Sequence, residues 1–130
     1  GIKTLEEAVK LRRNLVEKII DSLAAGGQAD AKLLDKAERV LVVVEKLTNE
    51  EDRHRQVAEL HHEAGMACYQ QYRKGANNRA LLEWAQKELE QSVDRWEKRL
   101  AKNPKDKGAE NRMVESNMIL YACRKYETLR

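Results

Sequence analysis

Apolar residues recur at every third or fourth position through five stretches of the chain. This period places them along one side of an α-helix, so each stretch predicts an amphipathic helix. The connections between the stretches have only a few residues, which places successive helices side by side and antiparallel. We therefore expect residues 1–130 to form one all-α domain of about five antiparallel amphipathic helices, packed as a helical bundle or as a stack of helical hairpins.

Capping and helix-breaking residues set the predicted ends of these helices. Threonine, aspartate and asparagine side chains accept backbone N–H groups at a helix start, whereas glycine and proline favour a helix end. The run of β-branched residues from Val40 to Val44 would also suit a buried strand, but a single strand has no partner for its backbone hydrogen bonds, so helix is favoured there. The predicted helices run from Thr4 to near Ala25, from Asp30 to about Leu47, from a Thr48–Glu51 capping box to Gly75, from Asn77 or Asn78 to just before Asn103-Pro104, and from the Lys105–Gly108 link to near Leu129.

The composition is typical of long helices with solvated charged faces, since 42% of the residues are apolar, 36% are charged and only one is proline. No apolar run approaches the roughly 20 residues that cross a bilayer. The first residues lack the features of a secretory signal. Cys68 and Cys123 lie within helical stretches, and without a secretory context two such thiols are more typical of reduced, buried side chains than of a disulfide. We expect a reducing, cytoplasmic location and no membrane partner.

The basic residues are concentrated in the second half of the chain. Residues 1–69 carry 11 basic and 13 acidic side chains, against 14 and 9 in residues 70–130. This asymmetry is weaker than the dense basic stripe that is typical of nucleic-acid binding, and it favours ordinary solvated faces. If the chain does bind nucleic acid, the side chains that we expect to meet phosphates are Arg95, Lys98, Arg99, Lys102, Lys105 and Lys107.

The histidines are the residues that most suggest chemistry. Glu51-x-x-His54 and Glu59-x-x-His62 have the spacing found in di-iron carboxylate bundles, but both lie on one predicted helix, about 12 Å apart along its axis, and cannot share a metal pair. No two histidines have the four-residue spacing that binds zinc on a helix. Neither a nucleophile within reach of a base nor a glycine-rich phosphate loop is recognisable. We expect no catalytic activity, no metal and no cofactor, with His61 on the apolar face and His54 and His62 in solvent.

From residue 58 to the C-terminus the sequence resembles a tetratricopeptide repeat. Ala64-Gly65 and Cys68-Tyr69 match the small residues at which the paired helices of that family cross closely, and Asn103-Pro104-Lys105-Asp106 is similar to its closing turn. Residues 117–126 would then open another first helix. His61 stands where the family favours tryptophan, and the family's 34-residue period is absent.

The resemblance implies a groove that holds a peptide. Its inner surface would be formed by Glu59, His62, Met66, Tyr69 and Gln70. The same strip is also consistent with plain packing between helices, which is favoured for Met66 and Tyr69. On the fourth helix Trp96 lies on the apolar seam and is expected in the core. Trp84 lies off that seam, either exposed as an interface anchor or covered by the N-terminal helices.

These observations favour a non-catalytic adaptor or scaffold module over an enzyme. The partner would be a peptide or a helix of another protein, bound in a groove between the third and fifth helices. Nucleic-acid binding through the basic second half is one alternative. Self-association into a homo-oligomer through the fourth helix, whose apolar residues follow nearly a heptad pattern, is another.

Overall fold

In the computed structural model of the protein, residues 1–76 and 78–128 are described. They form five α-helices and contain no strand, which confirms the predicted all-α bundle. Asn77 and Leu129, both named in the predicted helix ends, lie outside the described residues. Nowhere in the described ranges is a helix both long and apolar enough to cross a membrane. The helices are α1 (Leu5–Ala24), α2 (Ala31–Leu47), α3 (Arg53–Arg73), α4 (Arg79–Lys102) and α5 (Lys107–Thr128).

Three helices begin at the residues that the capping signals predict. The hydroxyl oxygen of Thr4 accepts the backbone N–H of Glu7, at 3.1 Å, where α1 begins. The side chains of Asp30 and Asn78 accept the N–H groups of residues two positions ahead, where α2 and α4 begin. Each contact satisfies a backbone donor that the helix itself leaves unpaired. Gly26, in the left-handed region with φ of 90°, follows the end of α1 as predicted.

The predicted capping box at Thr48 and Glu51 is wrong. The Thr48 hydroxyl donates its hydrogen bond backwards, to the carbonyl oxygen of Val44 in the last turn of α2. A turn follows, in which the Asn49 side chain accepts the N–H of Asp52 at 2.9 Å, and α3 begins only at Arg53. A threonine hydroxyl can satisfy either a free carbonyl of the helix that ends or a free N–H of the helix that begins, and here it does the former.

Helices α1, α3 and α5 run in the same direction, and α2 and α4 run against them. Between α3 and α5, Glu59 pairs with Arg112 and His62 with Ser116, so position numbers increase together along the two helices. Between α1 and α3, Arg13 pairs with Glu63. Helix α3 packs against all four other helices and is the centre of the fold. Its side chains are therefore covered on more than one side.

The core lies where α1, α2 and α4 converge on α3. It is built mainly from leucine, isoleucine, valine and alanine. Full burial of one of the larger side chains stabilises the folded state by about 1 to 3 kcal/mol. A smaller apolar cluster surrounds Trp96, near the turn between α4 and α5, and confirms the predicted burial of that side chain. The most deeply buried apolar residues of the main core include Ala8, Ile19, Val44, Val57, Cys68, Leu81, Leu82, Ala85, Leu89 and Cys123.

Gly65 allows α3 and α4 to approach closely. A Cβ atom built on Gly65 would lie 2.5 Å from Cγ of Leu89 and 3.2 Å from the backbone oxygen of Ala85. Both distances are below ordinary van der Waals contact, so a side chain at this position requires the Leu89 side chain to shift and the backbone of α4 at Ala85 to give way by a few tenths of an ångström. The small residue predicted at a close helix crossing is therefore at such a crossing.

Candidate functional site

Helix α5 contacts part of the strip of α3 that was predicted to form a peptide groove. Glu59 forms an ion pair with Arg112, with its two oxygens 3.0 Å from Nε of the arginine. Tyr69 packs against the ring of Tyr126, with centroids 6.1 Å apart. Met66 is half-buried. Helix α5 therefore contacts Tyr69, whereas Glu59 and Arg112 line a cavity of about 450 Å³ between α3 and α5.

His62 is buried, and the expectation that it lies in solvent is wrong. Its Nδ1 atom is 2.7 Å from the hydroxyl oxygen of Ser116, which is 3.2 Å from the hydroxyl oxygen of Ser92. Ser92 uses its only hydrogen to donate to the carbonyl oxygen of Ala58, at 2.9 Å. Ser116 must then donate to Ser92, and His62 must donate from Nδ1 to Ser116. This chain of hydrogen bonds joins α3, α4 and α5 and satisfies three polar groups in the interior.

Burial also controls the protonation of this histidine. Loss of hydration lowers the pKa of His62 below its ordinary value, and the nearby Arg112 lowers it further, against the opposing effect of Glu59 and Glu115. The neutral ring is the form that donates from Nδ1 alone. The His62 ring therefore lies in the interior and joins α3 to α5 through its hydrogen bond to Ser116.

A groove also lies between α1 and α3. Gln70, alone among the predicted groove residues, lines it. The cavity has a volume of about 340 Å³, at the lower end of the range for ligand sites in proteins. On α1 the lining extends from Arg12 to Asp21, a distance of about 14 Å at 1.5 Å per residue. The groove is thus about as long as two and a half turns of a helix.

The groove has an apolar floor and a polar rim. The rim is crossed at one end by an ion pair between Arg13 and Glu63, whose closest atoms are 2.8 Å apart. At the other end of the α1 rim stand the exposed carboxylates of Glu17 and Asp21, one helical turn apart. Like charges at this spacing repel each other, and neither carboxylate has a cationic partner among the described residues. The floor is lined by Val16, Ile20, Leu60, Ala64 and Ala67.

A buried charged cluster lies beneath this groove. Arg12, which is one of the lining residues, forms an ion pair with Glu88 of α4 in the interior. The Nδ1 atom of His61 lies 3.3 Å from the other oxygen of Glu88, and His61 is buried as predicted. Burial raises the pKa of Glu88, but its contacts with His61 and Arg12 outweigh that effect and hold the pKa below its ordinary value. The cluster ties α1 to the α3–α4 hairpin and fixes one wall of the groove.

Trp84 is half-buried at a second cleft, which lies between α2 and α4. Its indole packs against the main core, and it lines the cleft together with Leu34 and Lys87. Neither alternative from the sequence describes it fully, since part of the ring is covered by the N-terminal helices and part faces the cleft. This cleft is separate from the groove between α1 and α3, apart from the shared Arg12 in its floor.

Most of the basic side chains predicted to meet phosphates have acidic partners within the chain. Arg95 pairs with Glu45, and Arg99 with Asp106 at 2.9 Å, both in partly buried positions. The exposed side chains of Lys98 and Lys107 pair with carboxylates on their own helices. Lys102 and Lys105 are exposed. The two arginines join neighbouring elements of the fold, so these six side chains do not form a single uncompensated basic stripe.

The apolar seam of α4 predicted to mediate self-association faces the chain's own core. Leu82, Ala85 and Leu89 are fully buried, and Trp96 nearly so. A second copy cannot reach these side chains in the folded chain.

The two thiols are free and buried. Burial raises the pKa of Cys68 far above its ordinary value and that of Cys123 to about 11, so neither is a reactive thiolate at neutral pH. Over residues 1–76 and 78–128, no group of three histidine, cysteine or acidic side chains is arranged to hold a metal ion. Comparison of the chain with protein-family models, with curated proteins and with solved structures finds no match.

Proposed function

We propose that the chain is a non-catalytic protein-interaction module that binds an amphipathic, basic helix of a partner protein in the groove between α1 and α3. The observation that carries the proposal is the combination of an apolar floor with the unpaired carboxylates of Glu17 and Asp21 on its rim. A helix laid into such a groove would bury its apolar side on the floor. Lysine or arginine on its flank would compensate the two carboxylates.

The parallel order of α1, α3 and α5 supports this proposal. It places α1 and α3 side by side in like direction, and an elongated groove lies between them. The contacts that join these helices relate residues 50 to 57 positions apart, as in Arg13–Glu63, His62–Ser116 and Tyr69–Tyr126. A reducing compartment, where the buried thiols of Cys68 and Cys123 stay free, is part of the proposal.

Selection from a displayed library of 16-residue helical peptides tests the proposal. We expect the enriched peptides to be amphipathic and basic. Their affinity should fall at least tenfold for Ala67→Glu, which places a charge on the floor, and for the double variant Glu17→Lys/Asp21→Lys. Glu97→Lys, an exposed charge reversal on α4, is the matched control and should leave affinity unchanged.

Two results would contradict the proposed function. One is the absence of any selected helix with a dissociation constant below about 100 µM, the weak end of specific recognition. The other is equal loss of affinity in Glu97→Lys and in the groove variants, which would show that charge alone governs binding.

Nucleic-acid binding is less well supported, because four of the six predicted cations have acidic partners. Fluorescence anisotropy with a labelled duplex at low salt is the direct test. Binding that weakens steeply with added salt, and that is lost in Lys102→Glu/Lys105→Glu, would favour this function instead.

A further inference from the structure

Helix α5 is apolar on two sides. One side, which includes Leu120 and Cys123, is buried against α3 and α4. The opposite side carries three large apolar side chains that remain in solvent, Val114 (50% exposed), Met118 (66%) and Tyr121 (68%). They are four and three positions apart and therefore lie above one another along two turns. The contacts of the described residues leave this side of α5 uncovered.

The exposed face extends over the whole length of α5, about 33 Å for 22 residues. The apolar triplet occupies its middle, and polar and charged side chains flank it at both ends. A contiguous patch of this kind exposes an area on the order of a few hundred Å², the size of the largest apolar patch on a typical monomer, and such patches are often functional. The flanking exposed residues on this face are Lys107, Glu110, Asn111, Asn117, Arg124 and Lys125.

The charges on this face indicate what covers it. Measured along the axis from Met118, Glu110 lies about 12 Å towards the N-terminus, and Arg124 and Lys125 lie about 9 to 10 Å towards the C-terminus. In a parallel pair of α5 helices each of these charges would meet its own copy. In an antiparallel pair centred on Met118, Glu110 of each copy lies level with Arg124 and Lys125 of the other copy. The two-fold symmetry of the pair makes this charge contact occur twice. The helix dipoles are also opposed in that arrangement.

We propose that α5 is a self-association surface, through which two copies of the chain pair antiparallel by Val114, Met118 and Tyr121. Within one copy Glu110 contacts Lys107 and Arg124 contacts Glu90, at 3.6 and 3.2 Å, in exposed positions. Such surface ion pairs contribute little and rearrange readily. The interface shares no residue with the groove between α1 and α3, so failure of one proposal does not contradict the other.

The size of the patch sets the expected strength of the dimer. A single pair of helices with three apolar side chains on each buries less than the roughly 1,200 Å² of stable complexes. We expect a reversible dimer with a dissociation constant of roughly 1 to 100 µM, in the range of transient interfaces.

Sedimentation velocity from about 1 µM to 1 mM protein, a range chosen to span that constant, tests the proposal. The unmodified chain should shift from monomer to dimer with concentration. Met118→Glu, which places two like charges at the centre of the interface, should weaken the dimer at least tenfold. Val42→Glu introduces the same change at an apolar side chain of similar exposure on α2 (51%) and should leave the dimer unchanged. Circular dichroism establishes that both variants are folded.

Charge exchange tests the orientation. Glu110→Lys and Arg124→Glu should each weaken the dimer, and the double variant should restore it to within about twofold. A chain that stays monomeric at the highest concentration overturns the proposal, as does a dimer that survives Met118→Glu or that is lost equally in Val42→Glu. Failure of the double variant to restore the dimer overturns the antiparallel pairing.

Discussion

Replacement of Arg12 by methionine should be among the most destabilising single substitutions in this protein. The guanidinium is only 2% exposed, and Glu88, its partner, 3%. Methionine keeps most of the side-chain volume but leaves the carboxylate of Glu88 in the interior, where His61 is the one remaining partner among the described residues. Breaking a buried ion pair in this way costs about 3 to 5 kcal/mol, a large part of the roughly 5 to 15 kcal/mol that stabilises a typical domain.

Urea unfolding at pH 7, followed by circular dichroism, measures this loss. With a urea dependence of about 1 to 3 kcal/mol per molar, the midpoint of Arg12→Met should fall by about 2 M. The double variant Arg12→Met/Glu88→Met removes both charges and should recover most of the loss, because an apolar pair of similar volume needs no hydration. If the double variant is as unstable as the single one, packing rather than the unpaired charge causes the loss, and the reasoning is refuted.

The dependence on pH gives an independent check of the same cluster. In the native chain the pKa of Glu88 is held below its ordinary value, so the stability that it contributes is present above pH about 4.5 and is lost as the pH falls through the lower folded pKa. Removal of Arg12 takes away one of the contacts that lower this pKa. The difference in stability between the native chain and Arg12→Met should therefore narrow as the pH is lowered from 7 to 4. A constant difference would show that the charge of Glu88 is not responsible.

Three further outcomes are expected. Gly65→Ala should lower the free energy of unfolding by about 1 to 3 kcal/mol, despite the better helix propensity of alanine, and the loss in the double variant Gly65→Ala/Leu89→Ala should be smaller than the sum of the two single losses. Because burial lowers the pKa of His62, the unfolded chain takes up the proton first as the pH falls, so stability should decrease below pH about 6.5. In His62→Gln the urea midpoint should depend less on pH between pH about 7.5 and about 5. The thiols of Cys68 and Cys123 should react with Ellman's reagent at pH 8 only as fast as the chain unfolds, whereas immediate reaction would contradict their burial.

The helices could be predicted because their signals are local. Apolar spacing and capping residues depend on neighbours within four positions, and α1, α2 and α4 begin where Thr4, Asp30 and Asn78 indicate. The error at Thr48 has the same origin, since one hydroxyl can serve either of two helix ends. Sequence alone does not decide between them, because the choice depends on the turn that follows.

The candidate site was harder to predict because it depends on which faces are covered. The sequence gives α3 one apolar side, but this helix contacts four others, so His62 is buried although it lies off the main apolar stripe. Nothing in a single sequence shows that α5 lies against Glu59 and Tyr69, more than fifty positions away. Of the predicted strip, Gln70 lines the groove between α1 and α3, and Glu59 lines the cavity between α3 and α5.

A signal for the buried cluster was nevertheless present in the register of apolar positions. Arg12 occupies a core position of α1, four residues after Ala8 and three before Leu15. Glu88 occupies one on α4, between Ala85 and the buried Ser92. A charged residue in an apolar register is costly without a partner, so two of opposite sign on different helices indicate a buried pair.

The outer side of α5 carries apolar residues at positions of the helix that face away from the core. Val114, Met118 and Tyr121 are apolar residues in a helical register that lies away from the core, just as Arg12 and Glu88 are charged residues in a register that faces it. A mismatch that faces inward is resolved within the chain, by an ion pair. One that faces outward finds no such partner among the described residues, and a second molecule with complementary charges removes it at the least cost. The two kinds of mismatch therefore separate the side chains that hold this fold together from those that remain free for association.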